Sequence, residues 1–582
     1  MTRIRDVADT ARAFLRVVRA WEETHEPSLD PSLADARLID EDLERVDHAV
    51  SDLQDGIQEA RRIYIRVAEE RNSKTPIGRV VVELLRDIFD HYACASGHME
   101  NSTVAHPGFL LASVCKRWRA VALSYPALWS RVNLSPCVSQ LDYIRERAAD
   151  YPWTLVYYPG GEAFQIHNLE PRIRDFLLDN ISRTQDLTVI VSKYWHELDI
   201  LKEIMSSVTA PLLQRCSIHY GEWSTRHSPP SRLFNGCAPR LRHFKARFVD
   251  LLWDTAYLGN LTSLAVTHCH VTIPQHEELC SVLKASPDLE VLVLDCVPLN
   301  DSPFYLINPC GASRFELGRL HTLKLTQSPE EIHYILSSLS FPSLRILELE
   351  ATSVDAEYVP RLCQLGVFPP TATSSIAHLS VTVDPPTEPD LYNTVYIEGF
   401  EEAKTEADRV LLLSWNDMST RPDADTAALR RVICDLRSHI PDTLHSLTLQ
   451  SSVEHEEHPL DALLGLRSVK YLTLEGVMAG RFAERVLGPQ AFELGNIGGH
   501  EELVEVTLLK CRLRAETLLT LLERCAHCAL RVALQRVTVL INAQNDEHEF
   551  ERHVSALAER MILRRDDVRF RCTLDTSLTV FL

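Results

Sequence analysis

Glycine is scarce in this chain: it supplies 20 of 582 residues, about half of its usual share. The sequence also lacks the G-x-x-x-x-G-K-[ST], G-x-G-x-x-G and G-x-S-x-G motifs, which form phosphate-binding loops and nucleophile elbows. These absences argue against nucleotide-dependent enzymes and α/β-hydrolases. The sequence shows no catalytic motif and indicates no cofactor.

Long apolar runs and excess positive charge are missing as well. No run reaches the about 18 residues that a membrane-spanning helix requires, so we expect a soluble protein with no membrane partner. Lys and Arg number 60 against 81 Asp and Glu, which gives a formal net charge of −21. A surface of this sign repels phosphate backbones, and nucleic acid is not expected as a partner.

Cysteine usage indicates the compartment. The fifteen cysteines are an odd number scattered along the chain, and no signal-type apolar core follows the arginine-rich first residues. We expect reduced thiols in a cytoplasmic or nuclear protein, with only a weak amphipathic helix in residues 1–35.

No metal site is predicted. Cys525-Ala-His-Cys528 has no second cysteine pair at zinc spacing. His268 and His270, which flank Cys269, and His455 and His458, which lie in an acidic loop, are expected at the solvated surface because no His-Glu-x-x-His helix exists.

A heptad pattern occupies residues 36–72. Apolar residues alternate in steps of four and three along a predicted helix that begins after Pro31: Ile39, Leu43, Val46, Val50, Leu53, Ile57, Ala60, Tyr64 and Val67. Either the segment 39–67 self-associates as a coiled coil, or it lies against the following domain as an ordinary amphipathic helix.

The next segment, residues 76–134, predicts short helices with strong apolar faces. One face combines Val81, Leu84, Leu85, Ile88 and Phe89, and the other combines Leu110, Val114, Trp118 and Val121. The pattern alone allows a plain helical hairpin that opens the next domain. A domain of about 60 residues buries little of its surface, so these faces predict a binding partner.

The residues of this segment carry a family resemblance. Val114-Cys-Lys-Arg-Trp-Arg-Ala-Val-Ala-Leu123, followed by Pro126-Ala-Leu-Trp-Ser-Arg-Val132, resembles the F-box-like proteins abundant in mushroom-forming fungi, in which a heptad helix often precedes the box. The first half departs from the family's Leu-Pro-x-Glu-Ile-Leu, because this chain has Val80-Val-Val-Glu-Leu-Leu85 without proline. A proline there would preset the first helical turn.

The resemblance implies a substrate receptor of a ubiquitin ligase of the Skp, cullin and F-box type. The box would bind a Skp adaptor and, through it, cullin, and the ligase chemistry would lie in other subunits. The residues implied in adaptor binding or in the box core are Val80, Val81, Glu83, Leu84, Ile88, Phe89, Val114 and Trp118.

A degenerate repeat fills residues 150–582. The pattern Φ-x-x-Φ-x-Φ, with Φ apolar, begins at Leu261, Leu289, Leu320, Leu344, Ile376, Leu444, Val469, Leu503 and Leu534, and weaker copies begin at Thr184, Leu213, Leu241 and Ala407. Helical segments predicted over 277–285, 330–339, 425–440, 516–525 and 550–561 alternate with these predicted strands. The pattern resembles an irregular leucine-rich-repeat α/β solenoid, which together with the helical box gives an α+β to α/β chain. A doubly wound α/β domain is the alternative.

Three details complete the repeat prediction. Cys269 and Cys511 lie eight residues after a repeat start, where this repeat family places Asn or Cys to satisfy the backbone at the turn. Prolines and acidic residues near 384–408 predict a solvated insertion. Residues between the apolar ones should line a concave, target-binding face that runs from basic to acidic: His243, Lys245, Arg247, Lys324, Glu348, Glu350, Tyr471, Glu475 and Glu505.

Two alternatives to the ligase function remain open at this stage. The first is an interaction scaffold of the same architecture that never joins a ligase, which the missing proline favours. The second is an α/β enzyme, which would require a nucleophile elbow or a phosphate-binding loop.

Overall fold

The chain divides into two compact units, Met1–Tyr151 and Pro152–Leu582. The structure, a computed structural model, describes residues 33–97, 106–134, 138–158, 171–191, 195–220, 232–249, 252–268, 276–296, 315–354, 376–384, 393–401, 409–417, 432–434, 444–451, 469–476, 482–484, 504–527, 531–535, 538–540 and 579–581, with 16, 19 and 552. The helix predicted in residues 1–35 therefore lies almost wholly outside the described residues.

The first unit is helical. Its described elements are the helices α1 Leu33–Lys74, α2 Pro76–Arg79, α3 Val82–Gly97, α4 Pro107–Val114, α5 Lys116–Leu123, α6 Pro126–Trp129 and α7 Leu141–Ala148, the short strand β1 Arg131–Asn133 and a 3-10 turn at Val138–Gln140. The long helix begins two residues after Pro31, as the heptad pattern predicts. It ends at Lys74 because Thr75 starts α2: the Thr75 hydroxyl caps that helix by accepting from the Gly78 N–H at 3.1 Å.

One sequence expectation for this unit is wrong. The apolar spacing of Phe109–Leu123 predicts one helix, but the structure has two, α4 and α5, which are separated by Cys115 in extended backbone at φ −159°. Cys115 then caps α5, because its sulfur accepts from the Trp118 N–H at 3.4 Å. The break turns the two helices into a compact pair.

Trp129 is the centre of the helical core. It is fully buried, and its indole N–H donates to the Ala122 carbonyl at 2.7 Å. The His106 ring stacks on it at 5.2 Å and Phe109 meets it edge-on at 5.1 Å. Because the indole N–H has a partner, this large side chain contributes apolar burial without leaving a polar group unsatisfied.

The second unit is mixed α/β and contains a large, mostly parallel sheet. Its strands are β2 Trp153–Tyr157, β3 Thr184–Val191, β4 Arg215–Tyr220, β5 His243–Arg247, β6 Ser263–Thr267, β7 Val291–Asp295, β8 Phe315–Glu316, β9 Thr322–Gln327, β10 Leu339–Ser340, β11 Ile346–Val354, β12 His378–Asp384, β13 Asn393–Phe400, β14 Arg409–Asp417, β15 Ser446–Ser451, β16 Tyr471–Glu475, β17 Glu505–Leu509, β18 Arg512–Arg514, β19 Arg531–Gln535, β20 Thr538–Leu540 and β21 Thr579–Phe581.

Helices alternate with part of this sheet. They are α8 Pro171–Asn180, α9 Trp195–Ser207, α10 Thr255–Leu258, α11 His276–Lys284, α12 Pro329–Ser338 and α13 Ala515–His527, with 3-10 turns at Ile181–Arg183 and Leu233–Gly236. Three of the predicted helical segments correspond to α11, α12 and α13. Those predicted over 425–440 and 550–561 lie mostly outside the described residues. None of the helices in the described part of the chain is long and apolar enough to cross a membrane.

The apolar repeat corresponds to the strands with a fixed offset. The first apolar residue of a copy, such as Leu261, Leu289 or Leu320, is buried just before the strand, and the next two point into the core from within it. The last copy departs from this pattern, because the chain enters the large sheet at Arg531–Gln535 and a separate small sheet at Thr538–Leu540. The predicted strand over 534–539 is therefore wrong.

A recurring hydrogen-bond pattern links consecutive strands. At the start of β6 the N–H groups of Thr262 and Ser263 both donate to the Arg242 carbonyl, at 2.7 and 2.9 Å, and the Glu290 and Val291 N–H groups use the Thr262 carbonyl in the same way. The same geometry precedes β5, β9, β11, β15, β16 and β17. Each strand start is thus set in register by the preceding one.

The strand order changes once. From β2 the large sheet follows the chain order to β11, except that β8 and β10 pair only with each other. It then continues β14, β13, β12 and returns to β15, β16, β17 and β19. The middle strand, β13, is antiparallel to both neighbours. The segment between β11 and β15 therefore enters the sheet as an inverted three-strand meander, and the Ala377 N–H donates to the Phe400 carbonyl at 2.9 Å instead of to an earlier repeat.

The acidic insertion predicted near 384–408 is wrong in its centre. Residues 393–400 form β13, with Val395 and Ile397 in the core. Gly399 permits close packing there, because a β-carbon at this position would lie 2.9 Å from Ile376 Cδ1. The alternation of Val395 and Ile397 is the signal for a strand, and the prolines at 385, 386 and 389 obscure it.

Candidate functional site

Helix α3 has two apolar sides. Leu85, Phe89 and Ala93 are buried in the helical core. On the other side Leu84 is 55% exposed and Ile88 is 39% exposed. The three- and four-residue spacing places both sets on one helix, but only one set is covered within the described unit.

The exposed side continues beyond α3. Val81 precedes the helix, Tyr92 follows one turn after Ile88, Ile77 lies in α2 and Val114 ends α4, and all are more than a third exposed. We call Val81, Leu84, Ile88 and Tyr92 the α3 apolar face. The sequence analysis does not predict Tyr92 and Ile77 as exposed apolar residues of this surface, although Tyr92 continues the spacing of Leu84 and Ile88.

Phe89 and Trp118 belong to the core of the unit. Phe89 is fully buried, and its ring lies 5.2 Å from the half-buried Trp118 ring. Replacing a buried Phe by Ala costs about 3–5 kcal/mol, so such a change would damage the fold of the unit together with any surface on it. Leu84 and Ile88 can be changed without this complication.

Arg117 ties α2 to α5. Its guanidinium donates to the backbone carbonyls of Gly78 and Val80. Val80, which caps α2, is half-buried, and Glu83 is exposed in the first turn of α3. Pro76, at the first position of α2, presets the backbone of that helix, and α3 begins with valines that do not.

His106 is a buried residue that no sequence pattern predicts. Its Nδ1 accepts from the Gly108 N–H at 3.0 Å, and its Nε2 lies 3.0 Å from the Arg131 carbonyl, which fits a neutral ring with the proton on Nε2. Burial lowers the pKa of His106 to about 4, against the opposing hydrogen bond to Arg131. The ring thereby joins the start of α4 to the start of β1.

The strand face of the second unit begins basic. His243, Lys245 and Arg247 alternate with buried Phe244 and Ala246 and are all exposed. Lys245 is the register partner of Ser217 and Ala265 on the neighbouring strands. The predicted side-chain alternation of this strand is therefore confirmed.

Further along, the face carries an ion-pair network. Lys324 Nζ lies 2.7 Å from Glu348, and Arg409 contacts Glu348 at 3.3 Å and Glu398 at 3.1 Å. Glu348 and Arg409 are 13% and 16% exposed at their side chains. The sequence predicts neither Arg409 nor Glu398 on the strand face, because Glu398 lies in the segment near 384–408 that it predicts as a solvated insertion.

The remaining residues predicted for the strand face differ in their contacts and exposure. Glu350 accepts from the Thr326 hydroxyl at 3.2 Å, and Glu475 pairs with Lys510 at 2.8 Å. Tyr471 is 46% exposed and Glu505 is half-buried. In β14, however, Val410 to Ser414 are buried on both sides of the strand, so the face is covered where this strand crosses it.

The cysteines and histidines singled out in the sequence lie in different environments. Cys511 is fully buried and contacts the Leu474 and Leu509 carbonyls at 3.3 Å each, which agrees with its predicted structural role; burial raises the pKa of Cys511 to about 12. His268 is half-buried and stacks on Phe248 at 4.5 Å, so its predicted solvated position is wrong. Cys269, His270, His455, His458 and Cys528, and the side chain of Cys525, lie outside the described residues.

Comparison with known proteins adds no assignment: the chain matches no family model and no curated protein.

Proposed function

We propose that this protein is an F-box-like substrate receptor of a ubiquitin ligase, whose helical unit binds a Skp adaptor and whose second unit binds the target. The observation that carries the proposal is the exposed α3 apolar face, Val81, Leu84, Ile88 and Tyr92, beside the buried side of the same helix that forms the core. Exposed apolar patches of this kind mark binding surfaces.

The position of this face in the chain supports the proposal. The resemblance places Leu84 and Ile88 among the residues that bind the adaptor or form the box core, and both are exposed side chains on a helix anchored in the core by Leu85 and Phe89. A rigid helix presenting aliphatic anchors loses little conformational entropy on binding. Anchors at the centre of an interface commonly cost about 2 kcal/mol or more when truncated.

The second unit is proposed to be a degenerate leucine-rich-repeat array with one inverted insertion. The recurring pair of N–H groups that donates to one carbonyl of the preceding repeat supports this, because a doubly wound domain has no reason to repeat such a contact at each strand start. The meander of β12, β13 and β14 interrupts the array between β11 and β15.

The target is proposed to contact the strand face. Its start exposes the basic side chains His243, Lys245 and Arg247, whereas Glu348 and Glu398 at its centre are neutralised by Lys324 and Arg409. A partner of complementary charge would be held in one orientation on such a face. Glu348 is already engaged by Lys324 and Arg409, so the basic start is the more available part.

The test is co-purification of the full-length chain with a purified Skp adaptor. In the variant Leu84→Ser with Ile88→Ser, we expect adaptor affinity to fall at least about thirtyfold, because two exposed anchors are lost. The matched control is Ile65→Ser with Leu252→Ser, whose side chains are 53% and 39% exposed and lie outside both the α3 apolar face and the α1 stripe. Circular dichroism must show that both variants keep the helical content of the unmutated chain.

Two results would contradict the proposal. If the unmutated chain does not bind a Skp adaptor supplied in excess, the ligase function is wrong and the protein is a scaffold of the same architecture. If Leu84→Ser with Ile88→Ser binds the adaptor as tightly as the control double variant does, the α3 apolar face is not the adaptor site.

A scaffold outside any ligase is the second candidate. The absence of the family's proline at the start of α3 and the open apolar residues of α1, among them Tyr64 at 75% exposure, favour it. Such a scaffold would self-associate through 39–67 and present the strand face to partners without delivering them to cullin.

A further inference from the structure

Three side chains with metal-binding atoms meet at the ends of two neighbouring strands. Thr267 and Asp295 are register partners at the ends of β6 and β7, so the next residues, His268 and Cys296, leave the sheet side by side. Both adopt left-handed backbone, at φ 55° and 48°. The His268 N–H donates to the Asp295 carbonyl at 2.6 Å, and the Cys296 N–H to the Thr326 carbonyl at 2.7 Å.

The left-handed turn brings the side chains together. One ligand atom from each of His268, Asp295 and Cys296 lies within 4.8 Å of the other two, and His268 Nε2 is 3.8 Å from Asp295 Oδ2. In a tetrahedral zinc site with bonds of about 2.0–2.3 Å, neighbouring ligand atoms are about 3.3–3.8 Å apart. Because no two of the ligand atoms are more than 4.8 Å apart, a movement of at most about 1.5 Å would reach this spacing.

We infer that His268, Asp295 and Cys296 form a binding site for a divalent transition-metal ion, of which Zn²⁺ fits the donor set best. Imidazole nitrogen, carboxylate oxygen and thiolate sulfur are all zinc ligands. The described residues supply three ligands, and a fourth donor would complete a tetrahedral site.

The surroundings favour a cation. The His268 ring is held by stacking on Phe248 at 4.5 Å, so the imidazole is oriented before an ion arrives. The Asp295 carboxylate places a negative charge within the cluster, which attracts a metal ion and disfavours an anionic ligand.

A reactive thiol is the alternative function for Cys296, and its environment argues against it. Cys296 is half-buried and its sulfur lies close to the Asp295 carboxylate, a negative charge that opposes the thiolate a nucleophile requires. When a metal ion binds, the thiol releases its proton to solvent and the sulfur binds as thiolate.

The experiment uses the full-length chain, reduced, stripped of metal with a chelator and titrated with Co²⁺. We expect the near-ultraviolet charge-transfer band of a cobalt–thiolate bond, and we expect Zn²⁺ to remove it by displacing the cobalt. Cys296→Ser should abolish the band. His268→Ala and Asp295→Asn should weaken Co²⁺ binding at least about tenfold, since even the outer partners of metal ligands are worth about 10–100-fold.

The controls are Cys237→Ser and His243→Ala, which change an exposed thiol and an exposed imidazole in the same unit. Both should retain the band. A second measurement needs no variant: Zn²⁺ should slow alkylation of Cys296 by at least about tenfold, but not that of Cys237, as read by peptide mass spectrometry.

The inference fails if the unmutated chain gives no cobalt–thiolate band, if Cys296→Ser retains the band, or if Zn²⁺ leaves alkylation of Cys296 unchanged. If Cys296→Ser does not fold, the alkylation result and Asp295→Asn decide. The site does not depend on adaptor binding, so its failure leaves the proposed ligase function untouched.

Discussion

At the residue scale, the helical unit depends on a histidine that must stay neutral. His106 bridges the Gly108 N–H and the Arg131 carbonyl and stacks on Trp129. Protonation would put a proton on Nδ1, which could then no longer accept from the Gly108 N–H. The charged ring would lose this hydrogen bond, and its charge would be buried. The contact that joins α4 to β1 is therefore sensitive to acid.

The stability of the first unit should fall between pH 6.5 and pH 4. The pKa of His106 is lowered from 6.5 to about 4 in the folded unit, so across this window the unfolded chain binds a proton that the folded chain does not. The free energy of unfolding should drop by about 2 kcal/mol between pH 7 and pH 5 from this group alone. Urea unfolding followed by tryptophan fluorescence measures it.

His106→Asn is the control for this prediction. Its amide oxygen can still accept from the Gly108 N–H, but it does not titrate. The variant should be less stable at pH 7 and lose less stability on going to pH 5. An equal loss in both proteins would assign the acid sensitivity to other groups.

At the element scale, α1 is a long helix with an apolar stripe that the described unit leaves open. Leu43, Ile57, Tyr64 and Val67 on the stripe are 52%, 48%, 75% and 60% exposed. Half-buried Val46, Val50, Leu53 and Ala60 lie between them. A stripe repeating every seven residues matches a second copy of itself, which favours self-association over packing within the unit.

Sedimentation of the full-length chain should show a concentration-dependent dimer. Leu43→Asp with Ile57→Asp should shift it to monomer, because each carboxylate would be buried without a partner in the seam. Ile65→Asp is the matched control, since Ile65 is 53% exposed but lies off the stripe. A monomeric unmutated chain at every concentration would refute the coiled coil.

At the scale of the whole molecule, the inverted meander sets which distant segments are neighbours. Glu350 on β11 is the register partner of Ser414 on β14, whereas a strictly consecutive array would place Thr382 of β12 beside it. The exchange also brings Arg409 to Glu348, which lies 61 residues earlier. The ion-pair network on the strand face exists only because of this order.

Engineered disulfides should distinguish the two orders. Glu350→Cys with Ser414→Cys should cross-link on mild oxidation, because neighbouring strands lie about 4.8 Å apart. Glu350→Cys with Thr382→Cys should not, because the observed order separates β11 from β12 by about 14 Å. Non-reducing peptide mapping identifies the linked pair, and the opposite result would restore the consecutive order.

Local features were predictable from the sequence. The start of α1 after Pro31 and the buried first residue of the repeat copies follow from short-range rules, namely proline geometry and side-chain alternation. These depend on residues close together in the chain. The expected basic start of the strand face follows from the same alternation.

Only the tertiary structure decided which apolar side of α3 is covered, where β12 to β14 enter the sheet, and that His268, Asp295 and Cys296 converge. Leu84 and Leu85 are adjacent and identical in chemistry, so no local rule can say which one is buried. Strand partners and ligand clusters join residues tens of positions apart, and competing pairings of similar apolar strands differ only in their packing. The packing energy that decides between these pairings exists only in the assembled sheet.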